Sequence, residues 1–404
     1  MNSAAEHPLW VLDPGLFFEG GHHASFSRTI FGVSRSRGVP CELVGLHRID
    51  HPPQGLPIRR HFRNSAYAVL RSADPLNELR VLNRAMLTDL RTLNEHLRCA
   101  HVLFPTVTSR LVLGAAQWIV QQPSHSLSVS LLLMFPPGFA GPPSLRDAER
   151  ALYAEAFELL SKVPRSRARL FAETPQIAEV FRELGAPEIR PLQWPVTLPE
   201  LGPARSQPAP EPRIAYLGYS KVERGFALLP ACIKQVHRFE PNARFFIQSN
   251  YWDPTGLEEA DARLTRMESV EVHRGPLAPD AYCQRLSSAE IVLLPYKPEA
   301  YRRRGSGVFV EAAALGRIIV LPRGTWMADQ AREFSLGAVE FESFNASSVV
   351  DAVRHAIQHR DALLAKAALA APAWRNAHDP DRFFETVLGC ARAGSEQTAR
   401  ENAA

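Results

Sequence analysis

The feature that most constrains the fold is the alternation of short, continuously apolar runs with amphipathic segments along the chain. In the first half the apolar runs read LWVLD, CELVGL, CAHVLFP and SVSLLLMF, and in the second half RIAYLGY, ARFFIQS, VEVHRG, IVLLPY and RIIVLP. Segments such as DPLNELRVLNRAMLTDLRTLNEHL separate them and carry apolar residues at helical spacing. Strands that are apolar on both sides and alternate with helices are typical of a parallel sheet covered by helices on both faces. The pattern therefore predicts an α/β protein.

The length of the chain predicts two domains. With 404 residues it exceeds what a single compact core usually holds. Residues 197–212 are rich in proline and lack a periodic apolar pattern, which is typical of a linker. The α/β rhythm is repeated on both sides of this segment. We therefore expect two Rossmann-like, doubly wound parallel-sheet domains that face each other across a cleft, residues 1–196 and 213–378.

Composition excludes several classes of protein. The net charge of +4 is too small for a nucleic-acid-binding protein, and no segment is long and apolar enough to span a bilayer. The first residues, MNSAAEHPLWVLD, lack the basic start of a signal peptide. The five cysteines are scattered without a CxxC pair, which argues against a disulfide framework and a zinc site. We expect a cytoplasmic protein.

A basic stretch in the first half has two interpretations. Arg59, Arg60, His61 and Arg63 follow one another closely. They form a solvated loop in the first interpretation. In the second they form a surface for an anionic acceptor or for acidic lipid headgroups, which would bring the N-terminal domain to the inner membrane as a peripheral protein.

The turn after the strand RIAYLGY is a candidate phosphate site. The strand ends at Gly218, and Glu223, Arg224 and Gly225 follow just before the next helix. Free backbone N–H groups and the helix dipole at such a position both favour an anion, and a cation adds to them. The alternative is an ordinary turn without a ligand.

A second candidate site lies in the segment YRRRGSGVFVEAAALG. Arg302, Arg303 and Arg304 precede a glycine turn that opens a helix, and Glu311 lies on the second turn of that helix. A diphosphate needs paired positive charge and amide donors, and a ribose needs a carboxylate for its two hydroxyls. The alternative is a solvated arginine loop.

Two further motifs offer weaker signals. His22 follows Gly20 and Gly21 at the start of a predicted helix, where it serves as a general base or as a cap or packing residue. The sequence Asp379, Pro380, Asp381 matches a metal-binding DxD pattern but precedes the last helix, where aspartate is favoured as an N-cap. We expect no metal site.

Over nearly its whole length the chain resembles the GT-B glycosyltransferases, in particular the large group similar to glycosyltransferase family 4. The segment from Gly218 and Tyr219 to Arg224 and Gly225 is similar to the motif of that group that binds the donor diphosphate. Arg224 stands in place of the lysine and Tyr219 in place of the arginine. Glu311 matches the second of two glutamates in the family's other signature, and Arg303 occupies the position of the first.

The resemblance implies a set of site residues. Arg224 and His22 would be catalytic, and the remaining ones would contact the nucleotide-sugar donor. These are the glycine loop of Gly20 and Gly21, the turn of Gly218 and Tyr219, Gly275 and Leu277 facing the nucleobase, and Tyr301, Arg304, Gly305, Ser306, Gly307 and Glu311 around the phosphates and ribose. It also implies that a C-terminal helix, at about residues 379–395, packs back on the N-terminal domain.

The function implied is that of a metal-independent glycosyltransferase without a cofactor. It would move a sugar from a nucleotide-diphosphate donor, bound by the C-terminal domain, to a hydroxyl acceptor on the N-terminal side, with retention of configuration. The acceptor would be a glycan or a lipid-linked glycan, in bacterial envelope or exopolysaccharide synthesis. Two alternatives stay open: an epimerase that acts on nucleotide-diphosphate sugars on the same fold, and a degenerate, non-catalytic protein that binds a nucleotide sugar or a partner.

Overall fold

The computed structural model describes residues 7–19, 21–49, 51–97, 99–123, 127–139, 142–197, 210–251, 253 and 255–389. Their contacts divide them into two units. Unit 1 comprises the described residues up to Pro195 and from Asp379 onward, and unit 2 runs from Val196 to His378. Gly20 and most of the predicted linker, residues 198–209, lie outside the described residues.

Thirteen strands and fourteen α-helices are present in the described residues. The strands are β1 (Leu9–Leu12), β2 (Cys41–Leu46), β3 (Ile58–Phe62), β4 (Ala100–Val107), β5 (Leu127–Leu133), β6 (Ala168–Ala172), β7 (Arg190–Pro191), β8 (Arg213–Tyr216), β9 (Arg244–Ser249), β10 (Val270–Arg274), β11 (Ile291–Leu293), β12 (Ile318–Pro322) and β13 (Ala338–Phe341). The helices are α1 (Gly21–Ser36), α2 (Pro75–Thr92), α3 (Val112–Gln121), α4 (Pro143–Leu160), α5 (Pro175–Glu183), α6 (Leu229–Val236), α7 (Glu258–Leu264), α8 (Pro279–Ser288), α9 (Pro298–Tyr301), α10 (Gly307–Ala314), α11 (Trp326–Glu333), α12 (Ala346–Gln358), α13 (Arg360–Ala377) and α14 (Pro380–Leu388).

Each unit contains one parallel sheet. In unit 1 the strand order is β3-β2-β1-β4-β5-β6-β7, and in unit 2 it is β10-β9-β8-β11-β12-β13. All pairs of neighbouring strands are parallel. The predicted fold class, two doubly wound α/β domains, is therefore confirmed.

Alternate residues of the central strands divide between two cores, because successive side chains of a strand point to opposite faces. In β1, Trp10 and Leu12 join the core beneath α2 to α5, whereas Leu9 and Val11 pack towards α1 and α14. β8 behaves in the same way, with its residues divided between the core of α6 and α12 and the core of α10 and α11. This double burial explains why both strands are apolar without alternation.

The C-terminal helix α14 packs within unit 1. Phe383 and Phe384 are buried in the same core as the odd residues of β1. The backbone carbonyl of Val387 accepts hydrogen bonds from Ser130 Oγ at 2.6 Å and from Arg169 Nη2 at 2.8 Å. Residues 390–395 of the predicted C-terminal helix lie outside the described part of the chain.

The DxD motif at the start of α14 has structural partners. The side chain of Asp379 accepts the backbone N–H of Arg382 at 2.8 Å and so caps the helix, which confirms the capping prediction. Asp381 forms an ion pair with Arg37 Nε at 2.5 Å. Both carboxylates therefore stabilise the attachment of α14.

The basic stretch at residues 59–63 is exposed to solvent, as the first interpretation expects, but it forms a strand and not a loop. This stretch forms most of β3, the edge strand of the unit 1 sheet. The guanidinium of Arg59 lies 5.7 Å from the ring centroid of Trp10, and Arg63 Nε donates to Asp89 Oδ1 at 2.6 Å. Arginine and histidine are tolerated here because one face of an edge strand is open to solvent and charge there opposes edge-to-edge pairing.

The strand order of each sheet indicates where a ligand site is expected. In each sheet the strand order reverses beside its first strand, between β1 and β4 in unit 1 and between β8 and β11 in unit 2. Ligands of open α/β sheets bind beyond the carboxyl ends of the strands at this reversal. The residues that follow β1, β4, β8 and β11 are therefore where a site is expected.

No helix within the described ranges is long and apolar enough to cross a membrane. Four cysteines, Cys41, Cys99, Cys232 and Cys283, are free thiols.

Candidate functional site

In unit 2 a buried glutamine joins two of the predicted glycine turns. Gly218 follows β8 and Gly275 follows β10, with φ values of +89° and +86° that favour glycine. The backbone N–H of Gly218 donates to Gln248 Oε1 at 2.8 Å, and Gln248 Nε2 donates to the carbonyl of Gly275 at 3.1 Å. Gln248, at the end of β9, thus fixes the two turns that flank it.

Arg224 lies at the centre of a cluster of tyrosines. It belongs to a 3-10 turn, Val222–Arg224, that follows the Gly218 turn. Its Nε donates to the hydroxyl of Tyr301 at 2.8 Å and its Nη1 to the carbonyl of Tyr219 at 3.2 Å. Its guanidinium also lies 5.5 Å from the ring centroid of Tyr296. The predicted residues Gly218, Tyr219, Arg224 and Tyr301 therefore meet in one place.

The guanidinium of Arg224 remains charged. Burial alone would lower its pKa, but the neighbouring hydroxyls of Tyr301, Tyr296 and Tyr216 together raise it. Nε and Nη1 donate to Tyr301 and Tyr219, and Nη2 donates no hydrogen bond to the described residues. A half-buried cation with a remaining N–H group is suited to an anionic ligand.

The arginine segment between α9 and α10 is fixed at both ends. Tyr301 is buried at its start, and Ser306 is buried at its end, where its Oγ accepts the N–H of Phe309 at 3.4 Å and caps α10. Arg302 and Arg303 are exposed, whereas the guanidinium of Arg304 lies 4.8 Å from the ring centroid of Tyr301. α10 begins at Gly307, directly after Gly305 and the Ser306 cap.

Glu311 on α10 is a weaker acid than an ordinary glutamate, because its pKa is raised. The hydroxyl of Tyr282 on α8 donates to Glu311 Oε2 at 2.5 Å. Burial raises the pKa of Glu311 to about 7, and the hydrogen bond from Tyr282 offsets only part of that rise. Leu277, which precedes α8, packs against the same core as α10. At neutral pH the Glu311 carboxyl is therefore divided between its protonated and ionised forms.

We predict that Glu311→Gln flattens the dependence of unit 2 stability on pH. Glu311 titrates at about 7 in the folded protein, against an ordinary value of 4.5. Between these values the native state holds a proton that the unfolded chain has lost, so stability is full below the lower value and falls as the pH rises through about 7. Melting temperatures measured from pH 5 to 8 should fall less steeply for the glutamine variant. The exposed Glu299→Gln is the matched control, and an identical slope in all three proteins would contradict the prediction.

In unit 1 the residues after β1 form a buried acid-imidazole pair. Asp13 follows β1 and is fully buried; its Oδ1 accepts the N–H of Gly15 at 2.9 Å, and its Oδ2 lies 2.7 Å from Nδ1 of His23 on α1. His23 Nε2 lies 2.9 Å from the hydroxyl of Tyr67. The ring of His23 fills the space above Gly15, where an added Cβ would lie 2.1 Å from it. Only glycine therefore fits at position 15.

His22, the predicted general base, lies beside this pair. Its Nε2 is 3.3 Å from the hydroxyl of Tyr67, and its ring centroid is 4.0 Å from that of His23. Tyr67 is 38% exposed, whereas His23 is 5% exposed.

Aromatic rings extend from Tyr67 in both directions. The ring centroid of Phe135 is 6.2 Å from that of Tyr67, and Phe139 stacks on Phe135 at 4.7 Å. On the other side the ring centroid of Trp194 is 6.0 Å from that of His22. We call Tyr67, Phe135, Phe139, His22 and Trp194 the aromatic strip of unit 1.

Several of these residues were missing from the sequence prediction. Gln248, Tyr282 and Tyr296 in unit 2, and Asp13, His23 and Tyr67 in unit 1, support the predicted residues or extend them. The aspartate that ends LWVLD and the pair of adjacent histidines were visible as signals in the sequence, but their pairing was not. Gly20 lies outside the described residues, and Gly21 is exposed at the first turn of α1.

Among the described residues no group of three or more histidine, cysteine, aspartate or glutamate side chains is arranged to hold a metal ion.

Comparison with known proteins shows similarity in fold. No family model and no curated protein sequence matches the chain. Among solved structures, the sucrose-phosphate synthase of Thermosynechococcus elongatus superposes with a TM-score of 0.64 at 12% identity, covering 98% of this chain and 99% of that one. Trehalose-6-phosphate synthase, OtsA, gives a TM-score of 0.67 at 12% identity, covering 95% and 98%. Anabaena Alr3699/HepE in complex with UDP and glucose gives 0.62 at 11% identity, covering 99% and 100%. The chain has the GT-B fold of these glycosyltransferases.

Proposed function

We propose that the chain is a glycosyltransferase. Unit 2 would bind a nucleotide-diphosphate sugar and unit 1 a hydroxyl acceptor. The fold likeness supports the reaction class, and structures with the same fold contain bound UDP, UDP-glucose or ADP. The observation that carries the proposal is the meeting of Arg224, Gly218 and Tyr301 where β8 ends, at the strand-order reversal of the unit 2 sheet.

The chemistry follows from where charge develops. When the bond between the sugar and the diphosphate breaks, negative charge accumulates on the leaving diphosphate. A fixed cation and free backbone N–H groups placed at that point stabilise the transition state more than the ground state. Arg224 supplies the cation, and the N-terminus of α10 after Ser306 supplies the N–H groups. We therefore propose that the reaction proceeds without a bound metal.

Glu311 is proposed to accept hydrogen bonds from the ribose hydroxyls. Its ionised form offers acceptors on both carboxylate oxygens, whereas the protonated form offers fewer. Gly275 and Leu277 are proposed to face the nucleobase, and Tyr219, Arg304 and Gly305 the phosphates. These assignments rest on the resemblance to the GT-B family and on the positions of the residues after β8 and β10 and beside α10.

Further parts of the proposal rest on the resemblance and on composition. They are retention of the anomeric configuration, a cytoplasmic location peripheral to the inner membrane, a glycan or lipid-linked glycan as the acceptor, and a role in bacterial envelope or exopolysaccharide synthesis.

The test begins with a thermal-shift screen of the full-length chain against UDP, GDP, ADP and dTDP. We expect one nucleoside diphosphate to raise the melting temperature. At a ligand concentration of one hundred times its dissociation constant, binding adds about 2.7 kcal/mol to the free energy of unfolding. Incubation with the matching nucleotide sugar should then release the free nucleoside diphosphate only when an acceptor is present. Isomerisation of the sugar without an acceptor would indicate an epimerase, and stabilisation without turnover on a broad acceptor panel would indicate a non-catalytic binding protein.

A further inference from the structure

The orientation of the Gln248 side chain is determined by its two partners. The residue lies near the end of β9 and is 3% exposed. An N–H group only donates, so the amide of Gly218 pairs with Gln248 Oε1, at 2.8 Å. A carbonyl only accepts, so the oxygen of Gly275 pairs with Nε2, at 3.1 Å. Each end of the carboxamide therefore holds one turn of the candidate site.

Further hydrogen bonds join the same two turns to the end of β9. Ser220 Oγ donates to the backbone carbonyl of Gln248 at 3.0 Å, and the N–H of Ser220 donates to the carbonyl of Asn250 at 2.6 Å. The N–H of Gly275 donates to the carbonyl of Ser249 at 2.8 Å. The turns after β8 and β10 are thus both attached to the end of the strand that lies between them.

The two glycines leave space for different neighbours. A Cβ added at Gly218 would lie 3.2 Å from Nη1 of Arg224, so the absence of a side chain lets the guanidinium approach this turn. A Cβ added at Gly275 would meet no atom of the described residues within 4 Å. The first turn therefore adjoins the cation proposed for the diphosphate, and the second adjoins open space in which a flat nucleobase fits.

The N–H groups of both glycines are already used. The N–H of Gly218 donates to the Gln248 side chain, and the N–H of Gly275 donates to the Ser249 carbonyl. Neither is therefore free to donate to a ligand. What the turns contribute to binding is the placement of Arg224 and of the open face beside Gly275.

Resting on the proposed function, we propose that Gln248 is a positioning residue that holds the nucleobase side and the diphosphate side of the donor site at a fixed separation. It contacts neither part of the ligand. A ligand with two linked ends binds tightly to two surfaces that are already in place, because the second end then aligns at little further cost in entropy. When the turns move independently, each still recognises its own part of the ligand, but the advantage of the link is lost.

The experiment compares a linked ligand with its two parts. Dissociation constants of the nucleoside diphosphate found in the thermal-shift screen, of its nucleoside and of inorganic pyrophosphate are measured by calorimetry on the full-length chain. Gln248→Met keeps the length of the side chain and removes both of its hydrogen bonds. We expect this variant to bind the nucleoside diphosphate about tenfold more weakly and each part less than about twofold more weakly, because two hydrogen bonds of ordinary strength hold the turns together.

Two further variants separate positioning from other causes. Gln330→Met removes a buried glutamine of the same unit, whose Nε2 donates to Glu333 Oε2 at 2.7 Å within α11, and it should leave all three dissociation constants unchanged. Arg224→Ala removes a proposed contact with the ligand, so it should weaken the binding of pyrophosphate as well as that of the nucleoside diphosphate. A loss confined to the linked ligand therefore distinguishes a positioning residue from a contact residue.

A second variant and a second measurement support the test. Gln248→Asn carries the same carboxamide on a side chain one methylene shorter, so it cannot reach both turns at once, and it should show the same pattern of losses without burying an apolar side chain. Hydrogen exchange measures the attachment of the turn without any ligand. The amide of Gly218 should exchange about tenfold faster in Gln248→Met than in the wild type and in Gln330→Met, since its acceptor has been removed.

Equal losses for all three ligands in a folded Gln248 variant would overturn the positioning role, because they would show only a general effect on the structure. A chain that binds the nucleoside diphosphate and keeps its affinity in both Gln248 variants would refute the role of Gln248 and leave the proposed function standing. A wild-type chain that binds no nucleoside diphosphate would refute the proposed function and with it the donor role of Gln248, whereas the exchange of the Gly218 amide would still show whether Gln248 holds the turn.

Discussion

Arg224→Ala is expected to weaken nucleoside-diphosphate binding by about tenfold to a hundredfold while leaving nucleoside binding nearly unchanged. A hydrogen bond to a charged group contributes about 1.5–3 kcal/mol, and every 1.4 kcal/mol is a factor of ten in affinity. Only the diphosphate presents the charge that Arg224 recognises. Dissociation constants of the diphosphate found in the thermal-shift screen and of its nucleoside, measured by calorimetry, provide the comparison.

Arg224 also supports the structure, so the variant needs controls. Its loss leaves the buried hydroxyl of Tyr301 without the donor now at 2.8 Å. Arg224→Lys retains the positive charge but cannot reach Tyr301 and Tyr219 together, and it should recover part of the diphosphate affinity. Arg302→Ala removes an exposed arginine of the nearby segment and should have a much smaller effect. Equal losses for the nucleoside and the diphosphate would show that Arg224 acts only through the structure.

The sequence predicted the central strands and the edge strand β10, and it missed β3, β6, β7 and β13. β1, β4, β5, β8 and β12 are continuous apolar runs because helices cover both sides of the sheet at these positions. β3 reads IRRHF because it lies at an edge, and β7 is only two residues long. β13 alternates buried and half-buried residues at the other edge. The pattern used for prediction therefore depends on a strand's position in the sheet, which composition does not reveal.

For the site, residues close in sequence to a strand end could be predicted, and their partners could not. Gly218, Arg224 and Glu311 follow from the turn and helix that carry them. Gln248 was missed because its role depends on β9 lying between β8 and β10, a fact of strand order. Tyr282 was missed for a similar reason, since it reaches Glu311 from a different helix.

The two histidines illustrate the same limit. His22 and His23 are adjacent in sequence, and a general base was predicted at the first. Because successive residues of a helix point about 100° apart, only one of them faces the end of β1. That residue is His23, which contacts Asp13, while Nε2 of His22 lies 3.3 Å from the Tyr67 hydroxyl. The prediction of a catalytic role for His22 stays a prediction, and the activity of His22→Gln against that of His23→Gln would distinguish the two.

Gly225→Ala is expected to be the most destabilising single change near the candidate site. Gly225 has a φ of +71°, and a Cβ added there would lie 2.0 Å from the backbone carbonyl oxygen of Pro295. The two segments cannot separate easily, because the N–H of Lys297 donates to the carbonyl of Glu223 at 2.8 Å. Left-handed strain of about 1–2 kcal/mol adds to an overpacking cost of about 1–3 kcal/mol. For a unit of this size the melting temperature should fall by roughly 10 °C.

Gly324→Ala separates the two causes, because Gly324 has the same φ of +71° in the same unit and no atom within 4 Å of an added Cβ. It should show only the strain of the left-handed backbone, about 1–2 kcal/mol, and a correspondingly smaller fall in melting temperature. The difference in melting temperature between the two variants measures the cost of the steric clash between an alanine at position 225 and the segment after β11. Nucleoside-diphosphate affinity should fall in Gly225→Ala alone, since only that change moves Arg224. Equal melting temperatures for the two variants would mean that the turn carrying Arg224 moves away from Pro295 with no loss of stability. Arg224 would then lack the rigid support that transition-state stabilisation requires.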